Sequence, residues 1–122
     1  MYTVLVIEDE IELLKTLKLM LEMNNFKVLA APNGSVGISY LANDGIGLII
    51  SDINLPDCTG HDILRYVREN DHTKDLPFIF LTAYSDDANL EEAKGRGASD
   101  YIIKPFSSKA LIKTVTDLMK KQ

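Results

Sequence analysis

The amino-acid sequence predicts an α/β fold made of five βα units. The chain has 122 residues, close to the commonest size of one globular domain. Short apolar runs alternate with longer amphipathic stretches. The runs begin roughly 20 to 30 residues apart, which leaves room for one helix between successive strands. Hydrophobic residues make up 46% of the chain and charged residues 25%, as in proteins with a packed core. We therefore expect one domain over residues 1–122.

The apolar runs predict five strands. Four of them are solidly apolar rather than alternating, which is typical of parallel strands that are covered on both faces. The second run is less apolar and follows Lys27, which favours an edge position. The predicted strands are 4–7, 28–30, 48–50, 78–81 and 101–103.

The stretches between the runs predict helices. In the first stretch Ile11, Leu14, Leu17 and Leu21 recur at steps of three and four residues and form one apolar stripe. Ser107 is a good N-cap for the last helix, and Gly95 suits the end of the fourth. The predicted helices are 10–23, 35–41, 61–69, 86–94 and a last one that opens at Ser107.

Units of this kind connect in a right-handed sense and place helices on both faces of a parallel sheet. Five of them allow the doubly wound strand order 2-1-3-4-5, known as flavodoxin-like, in which strands 1 and 3 are neighbours. Ligands of such sheets bind at the carboxyl ends of the strands, where the strand order reverses. We therefore expect the functional site where strands 1 and 3 end.

The charge balance excludes some functions. The chain has 13 Lys and Arg against 18 Asp and Glu, a net charge of −5. This balance disfavours direct binding of nucleic acid or of an anionic membrane surface. No apolar run is long enough for a membrane span, and the N-terminal residues have no basic leader. Because the single cysteine, Cys58, cannot form an internal disulfide, we expect a cytoplasmic protein.

Polar residues stand where the predicted strands end. Glu8 and Asp9 follow strand 1, Asp52 follows strand 3, Thr82 ends strand 4 and Lys104 ends strand 5. Acids often begin a helix for purely structural reasons. The position of Asp52 at the mouth of a central strand is harder to explain in that way. These side chains would meet at one edge of the sheet.

Three carboxylates at one edge need neutralisation. Two like charges about 4 Å apart repel by about 4 kcal/mol at an effective dielectric constant near 20. The candidates are Mg²⁺, which prefers oxygen ligands and bridges to phosphate, and the ammonium group of Lys104. The Lys104-Pro105 bond can be cis, which would fix the direction of the lysine.

These pieces resemble the receiver domain of two-component response regulators. The resemblance rests on residues 4–10 (VLVIEDE), 51–60 (SDINLPDCTG), 80–83 (FLTA) and 97–106 (GASDYIIKPF). It runs from the first strand to the last helix. Leu55, where the family often has Met, is a mild departure, and Glu8 in place of the commoner Asp lies within the family's range.

The resemblance implies a Mg²⁺ site, for which Mn²⁺ can substitute. Asp9 would be a direct ligand, together with Asp52 and the backbone carbonyl of Asn54. Glu8 would reach the metal through water.

The resemblance also implies a phosphoacceptor. Asp52 would attack the phosphoryl group of a phosphohistidine. Lys104 would pair with Asp52 and then with a phosphoryl oxygen, and Thr82 would offer its hydroxyl to another oxygen. Tyr101 would be the aromatic switch that turns inward when Thr82 moves. In the family, the position of Tyr84 lies beside the path of the hydrolytic water, so we hypothesise that its bulk slows dephosphorylation.

The function implied is phosphorelay signalling rather than enzymatic turnover, although the domain would assist its own phosphorylation and slow dephosphorylation. The partner would be a histidine kinase or a histidine phosphotransfer protein. The face made by the fourth helix, the fifth strand and the fifth helix would switch, and it could support a homodimer.

Three alternatives stay open on sequence grounds. A phosphate-independent interaction module of receiver-like fold would lack one of the key residues, all of which are present. A flavodoxin-type electron carrier needs a hydroxyl-rich phosphate loop after strand 1, where two acids stand instead. A phosphatase similar to the haloacid dehalogenases has its nucleophile on the first strand. We expect Cys58, His61 and His72 to be plain surface residues.

Overall fold

The computed structural model describes residues 2–43, 45–83 and 97–120. Its five strands are β1 (Thr3–Ile7), β2 (Lys27–Ala31), β3 (Ile46–Asp52), β4 (Phe78–Thr82) and β5 (Asp100–Ile103). Its helices are α1 (Ile11–Glu22), α2 (Gly34–Tyr40), α3 (Gly60–Glu69) and a C-terminal helix (Ser108–Lys120). The helix predicted at 86–94, with Gly95 as its cap, lies outside the described residues.

All the strand pairs are parallel, and the order is β2-β1-β3-β4-β5. This confirms the predicted doubly wound topology and the edge position of β2. In the register, Ile7 pairs with Ser51 and Asp52 with Leu81, so the carboxyl ends of β1, β3 and β4 lie at one level.

The sheet separates two apolar layers because successive side chains of a strand point to opposite faces. On one face Val4, Val6, Leu48 and Ile50 pack with α1 and the C-terminal helix. On the other face their sequence neighbours pack with α2 and α3; the strand residues there are Leu5, Ile7, Ile49, Phe78 and Phe80. Every one of these strand side chains is fully buried, which explains why the runs are continuously apolar.

The helix starts follow local capping chemistry. Ser107 Oγ accepts a hydrogen bond from the Ala110 N–H at 3.0 Å, which confirms the predicted N-cap. Helix α3 begins one residue earlier than predicted because Thr59 and Asp62 form a reciprocal capping box. In the part of the chain that the structure describes, no helix is both long and apolar enough to span a membrane.

Two of the three residues expected at the surface are not there. Cys58 is half-buried against the start of α2. The ring of His61 is also half-buried and lies 4.8 Å from that of Phe80, centroid to centroid. Cys58 lies in the loop between β3 and α3 and His61 in the first turn of α3, and the packing of this region against α2 and the sheet partly covers them. His72 is exposed, as predicted.

Candidate functional site

An acidic cluster lies at the carboxyl ends of the two central strands. Glu8 and Asp9 follow β1, and Asp52 is the last residue of β3. Carboxylate oxygens of the three residues all lie within 4.8 Å of one another. Glu8 is only 1% exposed, Asp52 is half-buried and Asp9 is exposed to solvent. The parallel pairing of β1 with β3 therefore brings together the acids that the sequence placed at strand ends.

Lys104 reaches this cluster from the end of β5. Its Nζ lies 3.0 Å from Glu8 Oε1 and 3.2 Å from Asp52 Oδ2. The Lys104-Pro105 peptide bond is cis, and the Lys104 N–H donates to the Thr82 carbonyl at 2.6 Å. The sequence predicted Lys104 as the counter-charge of the acidic cluster, and the family resemblance implied its pair with Asp52. The shorter pair, with Glu8, was not predicted. Nothing in the local sequence signals that second pair, because the two residues are 96 positions apart.

Glu8 is held at both of its carboxylate oxygens. Oε2 accepts a hydrogen bond from the Glu10 N–H at 3.0 Å, and Oε1 accepts one from Lys104. Burial raises the pKa of Glu8 above 4.5, and the opposing effects of the Glu10 N–H and Lys104 do not cancel the rise. Burial acts to lower the pKa of Lys104, but the hydrogen bond that Lys104 donates to Glu8 and the charges of Asp52 and Glu8 outweigh it and raise the pKa. Lys104 therefore remains a cation at neutral pH.

The donor set fits a hard divalent cation. Among the described residues, three carboxylates face a single ammonium group, so the cluster keeps an excess of negative charge. Carboxylate oxygens are the ligands that Mg²⁺ prefers, and Mg²⁺ usually takes one or two of them and keeps several waters. The exposed side of the cluster, at Asp9, leaves room for such waters. The geometry thus agrees with the magnesium site that the sequence predicted.

Asn54 lies in the loop that follows β3. Its N–H donates to Asp52 Oδ1 at 3.3 Å, and Asn54 forms an isolated antiparallel bridge with Thr59 across the loop. At the base of the loop Gly60 has no space for a side chain, because a Cβ there would lie 2.5 Å from the Asp52 carbonyl oxygen. Gly60 and the capping residue Thr59 therefore shape the loop beside Asp52. Neither residue was predicted to have a role, although T-x-x-D followed by an apolar run is a recognisable helix start.

Thr82 and Tyr101 lie on the adjacent strands. Thr82 is the buried last residue of β4, and Tyr101 is half-buried in β5, packed against the apolar layer that holds Phe80. They occupy neighbouring strands, since Phe80 pairs with Tyr101 and Thr82 with Ile103. Tyr84 lies outside the described residues.

One side of the site is bordered by an apolar groove of about 490 Å³. Leu13 and Met20 of α1 form one wall, and Pro105 and Phe106 form the other, with Lys104 at the end nearest the carboxylates. Lys104 is thus shared between the acidic cluster and the apolar groove.

The comparisons with known proteins agree with this arrangement. Residues 4–116 match the model of the response regulator receiver domain. The response regulator SaeR of Staphylococcus aureus is 32% identical over 115 residues, which cover 94% of this chain and 49% of that protein. The chain therefore spans about half the length of this relative.

Solved structures of receivers have the same fold. The chemotaxis response regulator CheY4 of Vibrio cholerae has a TM-score of 0.91 at 28% identity, with 97% of this chain and 98% of that one covered. The signal receiver domain of a signal transduction histidine kinase from Syntrophus aciditrophicus has a TM-score of 0.89 at 27% identity, with 99% and 92% covered.

Together the fold and the site define a signalling domain with an acidic cluster at the switch point of a doubly wound sheet. The chain belongs to the response regulator receiver domain family of two-component systems. The receiver interpretation of the sequence is therefore confirmed, and the flavodoxin-type and phosphatase alternatives fall away. Receiver domains are signalling domains that bind Mg²⁺ through acidic residues, and this chain has the acidic cluster for it.

Proposed function

We propose that the chain accepts a phosphoryl group on Asp52 from a phosphohistidine of a histidine kinase or a histidine phosphotransfer protein. The observation that carries this proposal is the cluster of Asp52, Glu8 and Asp9, with Lys104 Nζ 3.2 Å from Asp52 Oδ2. A carboxylate nucleophile, an excess of negative charge that calls for a divalent cation, and a fixed ammonium group are what phosphoryl transfer to an aspartate requires.

In the transfer step an Asp52 carboxylate oxygen forms a bond to phosphorus while the N–P bond of the phosphohistidine breaks. The electron pair of that bond returns to the imidazole ring of the donor. Lys104, already beside Asp52, donates hydrogen bonds to a phosphoryl oxygen as the phosphoryl group moves towards Asp52. The buried Thr82 hydroxyl at the end of β4 contacts another oxygen.

Mg²⁺ would be held by the carboxylates of Asp9 and Asp52 and by the carbonyl of Asn54, with Glu8 acting through water. When bound, it neutralises charge on the phosphoryl oxygens and favours an in-line approach. Mn²⁺ takes the same oxygen ligands. In this proposal the domain assists its own phosphorylation and slow dephosphorylation but is not an enzyme that turns over a substrate.

The phosphoryl group adds negative charge and strong hydrogen-bond acceptors, and these bias a two-state element. We propose that Thr82 and Tyr101 form that element, and that the response spreads to the face made by the segment after β4, by β5 and by the C-terminal helix. That face also serves as the candidate homodimer surface. The expectation that Tyr84 slows hydrolysis concerns a residue outside the described ranges and stays a prediction.

The remaining parts of the proposal concern the setting of the domain. Residues 1–122 form one receiver domain that works in the cytoplasm, without direct contact to nucleic acid or membrane. The net charge of −5 supports this, because phosphate-rich surfaces repel an acidic protein.

The test is the intact mass of the protein after incubation with a small phosphodonor, with and without Mg²⁺. We expect one added phosphoryl group that requires Mg²⁺ and is lost in Asp52→Ala. Asp71→Ala is the matched control, since Asp71 is an exposed acid in the turn after α3, and it should be phosphorylated as the wild type is. Added mass that persists in Asp52→Ala would contradict the assignment of the phosphoacceptor.

A further inference from the structure

The loop between β3 and α3 (residues 53–59) is attached to α2 through Asp57. Asp57 Oδ1 accepts a hydrogen bond from the Gly34 N–H, and Oδ2 accepts one from the Ser35 N–H, both at 2.8 Å. The third N–H group of the helix, that of Val36, donates to Asn33 Oδ1 at 2.9 Å. The first N–H groups of α2 are therefore satisfied by side chains, and two of them depend on a residue more than 20 positions away.

Loop and helix are also in close steric contact at this point. A Cβ at Gly34 would overlap Cys58 Sγ and would lie 3.2 Å from Asp57 Oδ1. The two N–H donors keep the pKa of Asp57 below 3.8, so its carboxylate is ionised at neutral pH. The contact thus combines charge-assisted hydrogen bonds with packing that tolerates only glycine on the helix side.

Backbone hydrogen bonds within the loop connect the strands of chain on either side of Asp57 near Asn54. The loop is closed by the Asn54–Thr59 bridge and by a hydrogen bond of 3.2 Å from the Leu55 N–H to the Cys58 carbonyl. At its base the Gly60 N–H donates to the Ile53 carbonyl at 2.7 Å. With Asp57 fixed at the tip and Gly60 at the base, the backbone of Asn54 has little freedom.

Helix α2 depends on this attachment as well. It has seven residues, two of them glycine, and no acidic residue in its first turn. Helices of this length are marginal by themselves, and each glycine costs up to about 1 kcal/mol relative to alanine. Asp57 supplies from the loop the negative charge that favours the N-terminus of a helix.

We propose that Asp57 is a positioning residue that couples the Asn54 loop to α2. Occupation of the metal site then favours order at the start of α2, and an ordered α2 tightens metal binding. The coupling is reciprocal because two linked equilibria change each other by the same factor. This proposal rests on the proposed function, in which the Asn54 carbonyl is a metal ligand. The proposal makes α2 a second element that responds to the site. Helix α2 packs on β1 and β2, whereas Thr82 and Tyr101 lie on β4 and β5, at the other end of the sheet.

The test is amide hydrogen exchange of Gly34 and Ser35, measured by NMR with and without MgCl₂ beside the Mg²⁺ affinity. In the wild type we expect Mg²⁺ to slow exchange at both amides. In Asp57→Ala the Mg²⁺ affinity should fall about tenfold, as for other groups that orient metal ligands, and exchange at Gly34 and Ser35 should no longer respond. Asp57→Asn keeps one acceptor oxygen and should lie between the two.

Asp71→Asn is the control for the loss of one negative charge, and the core amides of β3 in the same spectra report whether a variant is folded. If wild type and Asp57→Ala bind Mg²⁺ equally well, or if Mg²⁺ leaves Gly34 and Ser35 unchanged in the wild type, the coupling is wrong while the proposed function stands. If the wild type binds no Mg²⁺, the proposed function fails and the coupling fails with it.

Discussion

Two partly buried cations, Lys104 and Arg68, lie at opposite ends of β4 and β5, and their surroundings differ in kind. Lys104 stands at the carboxyl ends, against the carboxylates of Glu8 and Asp52. Arg68 extends from the end of α3 to the amino ends of the strands. There its guanidinium group donates to the carbonyls of Gly97, Lys74 and Leu76 at 2.7 to 3.0 Å.

The difference separates a site from a structural anchor. The acceptors of Arg68 are backbone carbonyls. Through them Arg68 connects the loop before β4 to the residues before β5. Among the described residues, the carboxylates around Lys104 outnumber it and leave an excess of negative charge that a bound cation would balance. A partly buried cation that faces more than one carboxylate is a better indication of a functional site than burial of the cation alone.

The largest expected effect comes from removing the cation of the site. Lys104→Met keeps the aliphatic stem but deletes the ammonium group beside Asp52. We expect the rate of Asp52 phosphorylation by a small phosphodonor to fall by about 10²- to 10³-fold at saturating Mg²⁺. The time course of intact mass measures it, and a rate within threefold of the wild type would contradict the role of Lys104.

The same substitution at the anchor should change stability instead. Arg68→Met leaves the Gly97, Lys74 and Leu76 carbonyls without their donor, so we expect the free energy of unfolding to fall by about 2 kcal/mol. The urea midpoint measures this loss. At low temperature, where the variant is folded, its phosphorylation rate should match the wild type, and a large loss of rate would remove the contrast between the two cations.

A smaller effect is expected when one acid of the cluster becomes neutral. Glu8→Gln keeps the size of this buried side chain and removes a charge that burial disfavours. We expect Mg²⁺ affinity to fall about tenfold, while stability without Mg²⁺ changes by less than about 1 kcal/mol. Calorimetric titration and urea unfolding measure the two quantities. An affinity equal to that of the wild type would show that Glu8 does not act on the metal site.

The smallest effect concerns pH. Because the folded-state pKa of Asp57 lies below its ordinary value of 3.8, its ionised form stabilises the folded state. That stabilisation is complete above the unfolded-state pKa and is lost as pH falls through the lower folded-state value. The difference in urea midpoint between wild type and Asp57→Asn, in Mg²⁺-free buffer, should be constant near neutral pH and shrink below pH 3.8. A difference that grows on acidification would mean that the carboxylate is not stabilised by α2.

The strands and the place of the site could be predicted from the sequence because both depend on the local pattern of apolar and polar residues. Continuous apolar runs such as 48–50 can only be buried on both faces, and the parallel order then brings Asp52 beside Glu8 and Asp9 without further information. The part of the fold that was missed depends on backbone geometry. Arg68 binds a carbonyl 29 residues away, and Asp57 binds N–H groups 22 and 23 residues away. Every residue carries such backbone groups, so no sequence pattern marks them.

The errors have a similar cause. Cys58 was expected at the surface because it lies in the loop after the third strand, and His61 because it has no partner at a metal-ligand spacing. The packing of the loop after β3 on Phe80 and on Gly34 covers them instead. The roles of Asp9, Asp52, Asn54, Thr82, Lys104 and Tyr101 come from the family resemblance and stay predictions until the phosphorylation experiments are done.

The hydrogen bonds at the start of α2 have a consequence for the chemical ageing of the chain. Asn33 is followed by Gly34, a pair that is prone to spontaneous deamidation because the glycine nitrogen can attack the asparagine side-chain amide carbon and expel ammonia. Here the Gly34 N–H donates to Asp57 and the side-chain Oδ1 of Asn33 accepts a hydrogen bond from the Val36 N–H, so the nitrogen is held away from its target. Packing against Cys58 leaves no room for a residue larger than glycine. The loop that contains Asn54 therefore also protects the Asn33-Gly34 pair from deamidation, at a position where the packing allows only glycine.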